Sequence, residues 1–200
     1  MSETMAYEAK NYSNLIGMAG FSDQLLNNHF TLYQGYVNNT NKLLDLMMSM
    51  VKDGKASIPE FAELKRRFGW EFNGMRLHEY YFGNMAKKPS TMNKDSPLGK
   101  QITQDFGSIE DWEQEFKAIG TMRGIGWVVL CYDTQGKRLF NVWINEHDAG
   151  HLAGNAPLLV MDVFEHAFMI DYGLKRADYV NAFFKSIDWK VVAKGFDDAA

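Results

Sequence analysis

One cysteine, four prolines and five histidines are the scarce letters of this 200-residue chain. With Cys131 alone no intramolecular disulfide can form, and its place in the apolar run from Gly126 to Tyr132 reads as burial of a small hydrophobe. An excess of positive charge is also lacking. Lys and Arg number 21 against 25 Asp and Glu, a formal net charge of −4 with a pI near 5.7. The electrostatic footprint of a nucleic-acid binder is therefore missing. No segment approaches the roughly 20 apolar residues of a membrane span, and the opening MSETMAYEAK holds no long apolar stretch. The chain reads as soluble, untargeted and suited to a reducing cytoplasm. What it does have is apolar bulk, 46% hydrophobic and 14% aromatic, enough to bury a sizeable core.

From Phe21 to Met50 no proline appears, and Leu25, Leu26, His29, Leu32, Tyr33, Tyr36 and Val37 recur at helical spacing. Ser22 and Asp23 are candidate caps of that long helix, and Asp53-Gly54-Lys55 supplies a turn at its far end. Ser57-Ile58-Pro59-Glu60 starts a second helix, with serine as cap and proline in the first turn, running to about Met85. Two helices joined by so short a turn predict an antiparallel hairpin. Polar residues from Lys87 to Ser96 mark a linker, so an N-terminal helical domain is expected over 1–88 and a C-terminal domain over 97–200. Leu98 to Phe106 and Ser108 to Gly120 predict two short helices, the second opened by Ser108 with Asp111 three residues on. Trp127 to Tyr132 and Arg138 to Ile144 are β-rich runs around the turn Asp133-Thr134-Gln135-Gly136, and Pro157 to Asp162 is a third strand. Helical segments follow from about Glu165 to Tyr172 and from Ala177 onward. This order predicts an α+β fold, a helical hairpin plus a three-stranded antiparallel sheet surrounded by helices, with any site between the two parts.

The histidines are His29, His78, His147, His151 and His166, the last in Asp162-Val163-Phe164-Glu165-His166. Imidazole and carboxylate are natural ligands for iron, manganese or zinc, and three His with one Asp leave a position open on a five-coordinate ion. Spacing alone does not select that reading, since each histidine could equally be a hydrogen-bonded core or surface residue. The stretch PLLVMDVFEHAFMIDYGLKRADYVNAFFKSIDW, residues 157–189, resembles the C-terminal signature of the iron/manganese superoxide dismutases through Asp162, Glu165, His166, Tyr172, Arg176, Asp178, Tyr179 and Trp189. Further matches lie at Tyr36 to Asn39, at Phe72-Asn73 through His78 to Asn84, at Phe106 to Ser108 and at Gly124 to Trp127, so the resemblance covers nearly the whole chain.

The resemblance implies that His29, His78, Asp162 and His166 ligate one iron or manganese ion per chain, with solvent as fifth ligand and superoxide as substrate. It also implies roles beyond the ligands. Tyr36 resembles the gateway tyrosine, Trp127 and Phe164 the hydrophobic wall, and Glu165 the residue that reaches across a homodimer to orient a ligand histidine. Many relatives hold the bound solvent with a Gln four residues before the second histidine, where this chain has Gly74; His147, fifteen residues ahead of Asp162, is the alternative, and its presence tilts the expectation toward iron. His151 is read as a loop residue.

Departures from the family pattern are local. Tyr36 falls seven residues after His29 rather than eight, which on a helix still returns to within about 20° of the starting face. The family's extra funnel histidine has no counterpart, Leu32 and Tyr33 occupying that space, and Met169 replaces its cross-dimer tyrosine. The expectation is a cytoplasmic dismutase acting on superoxide, a homodimer or tetramer without nucleic acid or membrane. The alternative is a catalytically silent structural or metal-binding relative.

Overall fold

Ser22 starts the longest helix. In the computed structural model, which describes residues 6–200, its hydroxyl accepts the Leu25 N–H at 3.1 Å, satisfying one of the donors a helix N-terminus leaves open. This helix, α1 (Asp23–Lys52), buries Leu25, Leu26, His29, Tyr33, Val37, Thr40 and Met47 along one face. Leu32 departs from the expected stripe and is exposed. The turn after Asp53 leads to α2 (Pro59–Gly83), which packs antiparallel on α1 as the hairpin reading requires. Its N-cap is Ile58, with no side-chain hydrogen bond, rather than Ser57. Pro59 sets the first helical position without any need of the hydroxyl.

Two short helices follow, α3 (Pro97–Phe106) and α4 (Ile109–Gly120). Ser96 caps the first by accepting Gly99 N–H, and Ser108 caps the second by accepting Asp111 N–H at 3.0 Å. The sheet has strands β1 (Gly126–Asp133), β2 (Arg138–Asn145) and β3 (Asn155–Asp162), antiparallel in the order β2-β1-β3. As the central strand, β1 is buried along almost its whole length, and this is why its sequence is a continuous apolar run with no polar alternation. Register pairs Trp127 with both Ile144 and Asp162. Paired residues on neighbouring strands share a face, so the sheet sets the indole beside the carboxylate.

The C-terminal helices are more broken than their sequence implies. Glu165–Ala167 is a single 3₁₀ turn, and after Phe168, at φ −144°, comes α5 (Met169–Tyr172). The segment expected from Ala177 onward is two helices, α6 (Arg176–Phe184) and α7 (Trp189–Ala199). Between them Ile187 bridges to Met85, and Asp188 caps the second helix by accepting Lys190 N–H. Tertiary pairing thus overrides local helical preference there.

Asn84, the cap at the end of α2, ties the hairpin to the sheet. Its side-chain amide donates to Leu158 O and accepts from Val160 N–H, both at 3.0 Å, treating the edge of β3 as a further strand would. Asn84→Ala would leave two buried backbone groups of β3 unpaired at about 1–3 kcal/mol each. The expected result is a loss of roughly 2–6 kcal/mol, read as a lower urea midpoint with unchanged slope. An unshifted midpoint would show that water replaces the amide. Among the described residues, no helix is long and apolar enough to cross a membrane.

Candidate metal centre

Each of the four candidate ligands is placed by a different local rule. His29 sits on the buried stripe of α1 and His78 on that of α2. Asp162 ends β3, and His166 lies in the 3₁₀ turn four residues later. His29, His78 and Asp162 are fully buried, while the His166 side chain is 25% exposed. Their donor atoms all lie within 4.8 Å of one another.

Asp162 is the centre of the arrangement. Its Oδ1 accepts the Phe164 N–H at 2.8 Å, and its backbone carbonyl accepts the Tyr179 hydroxyl. With those anchors the second oxygen, Oδ2, faces three imidazoles: His29 Nε2 at 3.1 Å, His166 Nε2 at 3.1 Å and His78 Nε2 at 3.6 Å. A carboxylate oxygen has only two lone-pair positions to share among them. His78 donates its Nδ1–H to the Gly74 carbonyl, and this leaves Nε2 as a lone-pair nitrogen that is buried with no hydrogen-bond partner among the described residues. An orphaned acceptor of this kind is costly unless something meets it. Donors each about 2.1 Å from a common ion and at right angles lie about 3.0 Å apart, close to the 3.1 Å that His29 and His166 keep from Oδ2.

Charge follows the same pattern. Burial by itself would raise the Asp162 pKa, yet His166 and His29 against Oδ2 hold the carboxyl well below the usual carboxylate range. Burial opposes charge on His166 as well, but Asp162 outweighs it and the imidazole is held above its ordinary value. His29 and His78 are pushed down, chiefly by burial, so both stay neutral. Neutral imidazole is the form that ligates metal.

Around this group stands a second ring of contacts. Trp127 donates its indole N–H to His147 Nδ1 at 3.0 Å, and an indole nitrogen can only donate. Nδ1 is therefore bare, the proton of His147 sits on Nε2, and it is donated to Tyr36 Oη at 2.7 Å. Burial lowers the His147 pKa to about 4 and raises that of Tyr36 to about 12. Tyr36 in turn stacks on His78 with centroids 5.3 Å apart, and Trp127 meets the same imidazole edge-on at 4.9 Å. Phe164 stacks on His147 at 4.7 Å and on His166 at 5.2 Å.

The structure thus brings together His29, His78, Asp162, His166, Tyr36, His147, Trp127 and Phe164. Glu165 is exposed and is not drawn into the cluster. Tyr33 is buried in the hairpin, donating to Glu79 Oε1 and accepting Lys10 N–H, each at 3.0 Å. Leu32 and Met169 are both exposed.

Two contacts escaped the sequence reading. Trp70 packs perpendicular to His147 at 4.8 Å, beneath the Arg67 guanidinium at 4.9 Å. The spacing Trp70, Gly74, His78 was the available signal, because residues four apart share a helix face. His151, read as a loop residue, donates Nε2–H to the His147 carbonyl at 2.9 Å.

Residues 94–195 match the family described as iron/manganese superoxide dismutases, C-terminal domain. Similarity extends over most of the chain. It is 37% identical over 184 residues to an iron superoxide dismutase of Cupriavidus metallidurans, covering 90% of each chain. It is 35% identical over 179 residues to a manganese superoxide dismutase of Haloferax volcanii, covering 89% of this chain and 88% of the relative. An iron enzyme of the same name from Aquifex pyrophilus is 34% identical over 198 residues, covering 96% and 92%.

Proposed function

The chain belongs to the iron/manganese superoxide dismutase family, and from that premise we propose that it is an oxidoreductase that disproportionates superoxide to dioxygen and hydrogen peroxide. The observation that carries the reading is the convergence of His29, His78, His166 and Asp162 from both parts of the chain, with His78 Nε2 lacking a hydrogen-bond partner among the described residues. These four side chains would hold one iron or manganese ion. Bound there, the ion would supply the one-electron valence change that oxidises one superoxide and reduces the next.

The chain's own residues supply orientation, dryness and protons. Asp162 is held through Oδ1 and its backbone carbonyl, so Oδ2 alone turns inward. Trp127, Phe164 and Tyr36 wall the imidazoles from bulk water. Because His147 Nε2–H is donated to Tyr36 Oη, the Tyr36 hydroxyl keeps its own proton free for a further acceptor. Peroxide formation consumes two protons, and this Trp127-His147-Tyr36 chain holds one at a defined atom beside the cluster.

Iron is favoured because His147, from the β2–β3 turn, takes over from the Gln that many relatives carry at the position of Gly74. The exposed Glu165 beside the partly exposed His166 supports a homodimer or tetramer in which Glu165 orients a ligand histidine of a second copy. The division at the Lys87 to Ser96 segment into 1–88 and 97–200, and a cytoplasmic location, belong to the same proposal.

The test is elemental analysis of the purified chain together with a superoxide-removal assay. Iron or manganese near one ion per chain is expected, with superoxide removal lost on chelation and restored by the metal. Metal without activity would point to other small-oxidant chemistry, and neither would leave a structural relative.

A further inference from the structure

The turn that carries His147 is tied from outside by a residue that the reaction does not touch. Between β2 and β3 the chain doubles back: Asn145 N–H donates to Ala149 O at 2.7 Å and Glu146 N–H to Ile125 O at 3.0 Å. Glu146 takes φ +52°, a left-handed conformation that non-glycine residues hold only where surrounding contacts over-determine it. His147, the next residue, is fully buried as a result. His151 lies on the exposed side of the turn, and its Nε2 is 2.9 Å from the His147 carbonyl. A carbonyl only accepts, so that nitrogen carries the proton and donates it.

We propose that His151 is a positioning residue, whose N–H fixes the His147 backbone so that the buried ring meets Trp127 and Tyr36 at once. The proposal rests on reading His147 as the proton-holding neighbour of the metal site. The His147 ring has partners on both nitrogens, Trp127 Nε1 at 3.0 Å and Tyr36 Oη at 2.7 Å, and is closed in by Phe164 and Trp70. A ring bonded at opposite corners cannot absorb a backbone shift by rotating, because either rotation breaks one bond. Its position is therefore set by the turn, and His151 holds the turn at the carbonyl of His147 itself. Groups that act on substrate tolerate about 0.5 Å of error, and residues that lock such groups are found one layer out.

The test reads local opening at His147 through hydrogen exchange of the Trp127 indole N–H, followed by NMR on nitrogen-labelled tryptophan. The full chain is loaded with zinc, a diamagnetic ion that takes the same imidazole and carboxylate donors. His151→Ala is expected to speed that exchange about fivefold, the worth of one hydrogen bond, with an unchanged urea midpoint. His151→Gln, which keeps a donor in reach, should restore the wild-type rate. Unchanged exchange in His151→Ala, failure of Gln to restore it, or a midpoint that falls in step with the exchange would each overturn the proposal. No turnover is measured, so a chain without dismutase activity that still shows the fivefold change would refute the functional reading and leave the positioning role standing.

Discussion

Replacing His78 by alanine should strip the chain of its metal, while His151→Ala should keep the wild-type metal content. The contrast follows from what each imidazole touches. His78 Nδ1 is spent on the carbonyl one helical turn back, and Nε2 has no hydrogen-bond partner among the described residues. Losing this ring removes a direct donor to the ion. Loss of a residue that merely orients a ligand already costs about 10–100-fold in metal affinity, so the loss in His78→Ala should exceed about 100-fold. Stability gives a second reading of the same event. An ion at a hundred times its dissociation constant stabilises the folded state by about 2.7 kcal/mol, worth roughly 5–10 °C in melting temperature for a chain of this size. Chelation should therefore lower the melting temperature of the wild type and of His151→Ala by that amount and leave His78→Ala unmoved. Equal metal content in the two variants would remove His78 from the ligand set.

Gly74→Gln should impair the protein even though it restores the residue many relatives carry at that helical position. A Cβ on Gly74 would lie 2.5 Å from Tyr36 Cδ1, 2.7 Å from Cε1 and 2.9 Å from Cγ, and the ring has nowhere to retreat. It is stacked on His78 at one face and bonded to His147 at its hydroxyl. On an ordinary helix, replacing glycine by alanine gains about 1 kcal/mol, whereas overpacking a filled site costs about 1–3 kcal/mol. Overpacking should win here, so Gly74→Ala and Gly74→Gln should both lower the urea midpoint. Superoxide removal should fall roughly 10–100-fold as Tyr36 leaves His147, with metal content near wild type because no ligand is altered. The sign should reverse once the obstruction is gone: in a Tyr36→Leu background, Gly74→Ala should stabilise. A midpoint that rises in the wild-type background would mean the ring moves freely and is not held as described.

This steric exclusion accounts for where His147 stands. Only one of two side chains can occupy the space beside Tyr36, one rooted on α2 at residue 74 and the other on the β2–β3 turn. Glycine at 74 leaves that space to Tyr36 and to the imidazole from the turn. The sequence shows both the glycine and the histidine, but their mutual dependence appears only when the Tyr36 ring is seen between them.

Legibility differed by element for physical reasons. The hairpin, α3, α4 and β1 were readable because caps, periodicity and a continuous apolar run are local properties of the chain. The C-terminal segment was not. Phe168, at φ −144°, breaks one helix, and the Met85–Ile187 bridge interrupts another through a partner distant in sequence. The Tyr33 hydroxyl bond was unreadable for a related reason, since nothing near it in the chain signals that Glu79, on the other helix, accepts from it. The Trp70 contact likewise depends on which surface of α2 faces the β2–β3 turn.

By itself the sequence determined the element order, the residue types able to hold a metal, and their membership of a family through a long ordered motif. These depend on local periodicity and on letters in fixed sequence. Only the tertiary structure decided which Asp162 oxygen turns inward, which nitrogen of His147 carries its proton, and that Gly74 is there to admit an aromatic ring. Those are questions of direction, and a side chain's direction is set by whatever packs against it from elsewhere in the chain.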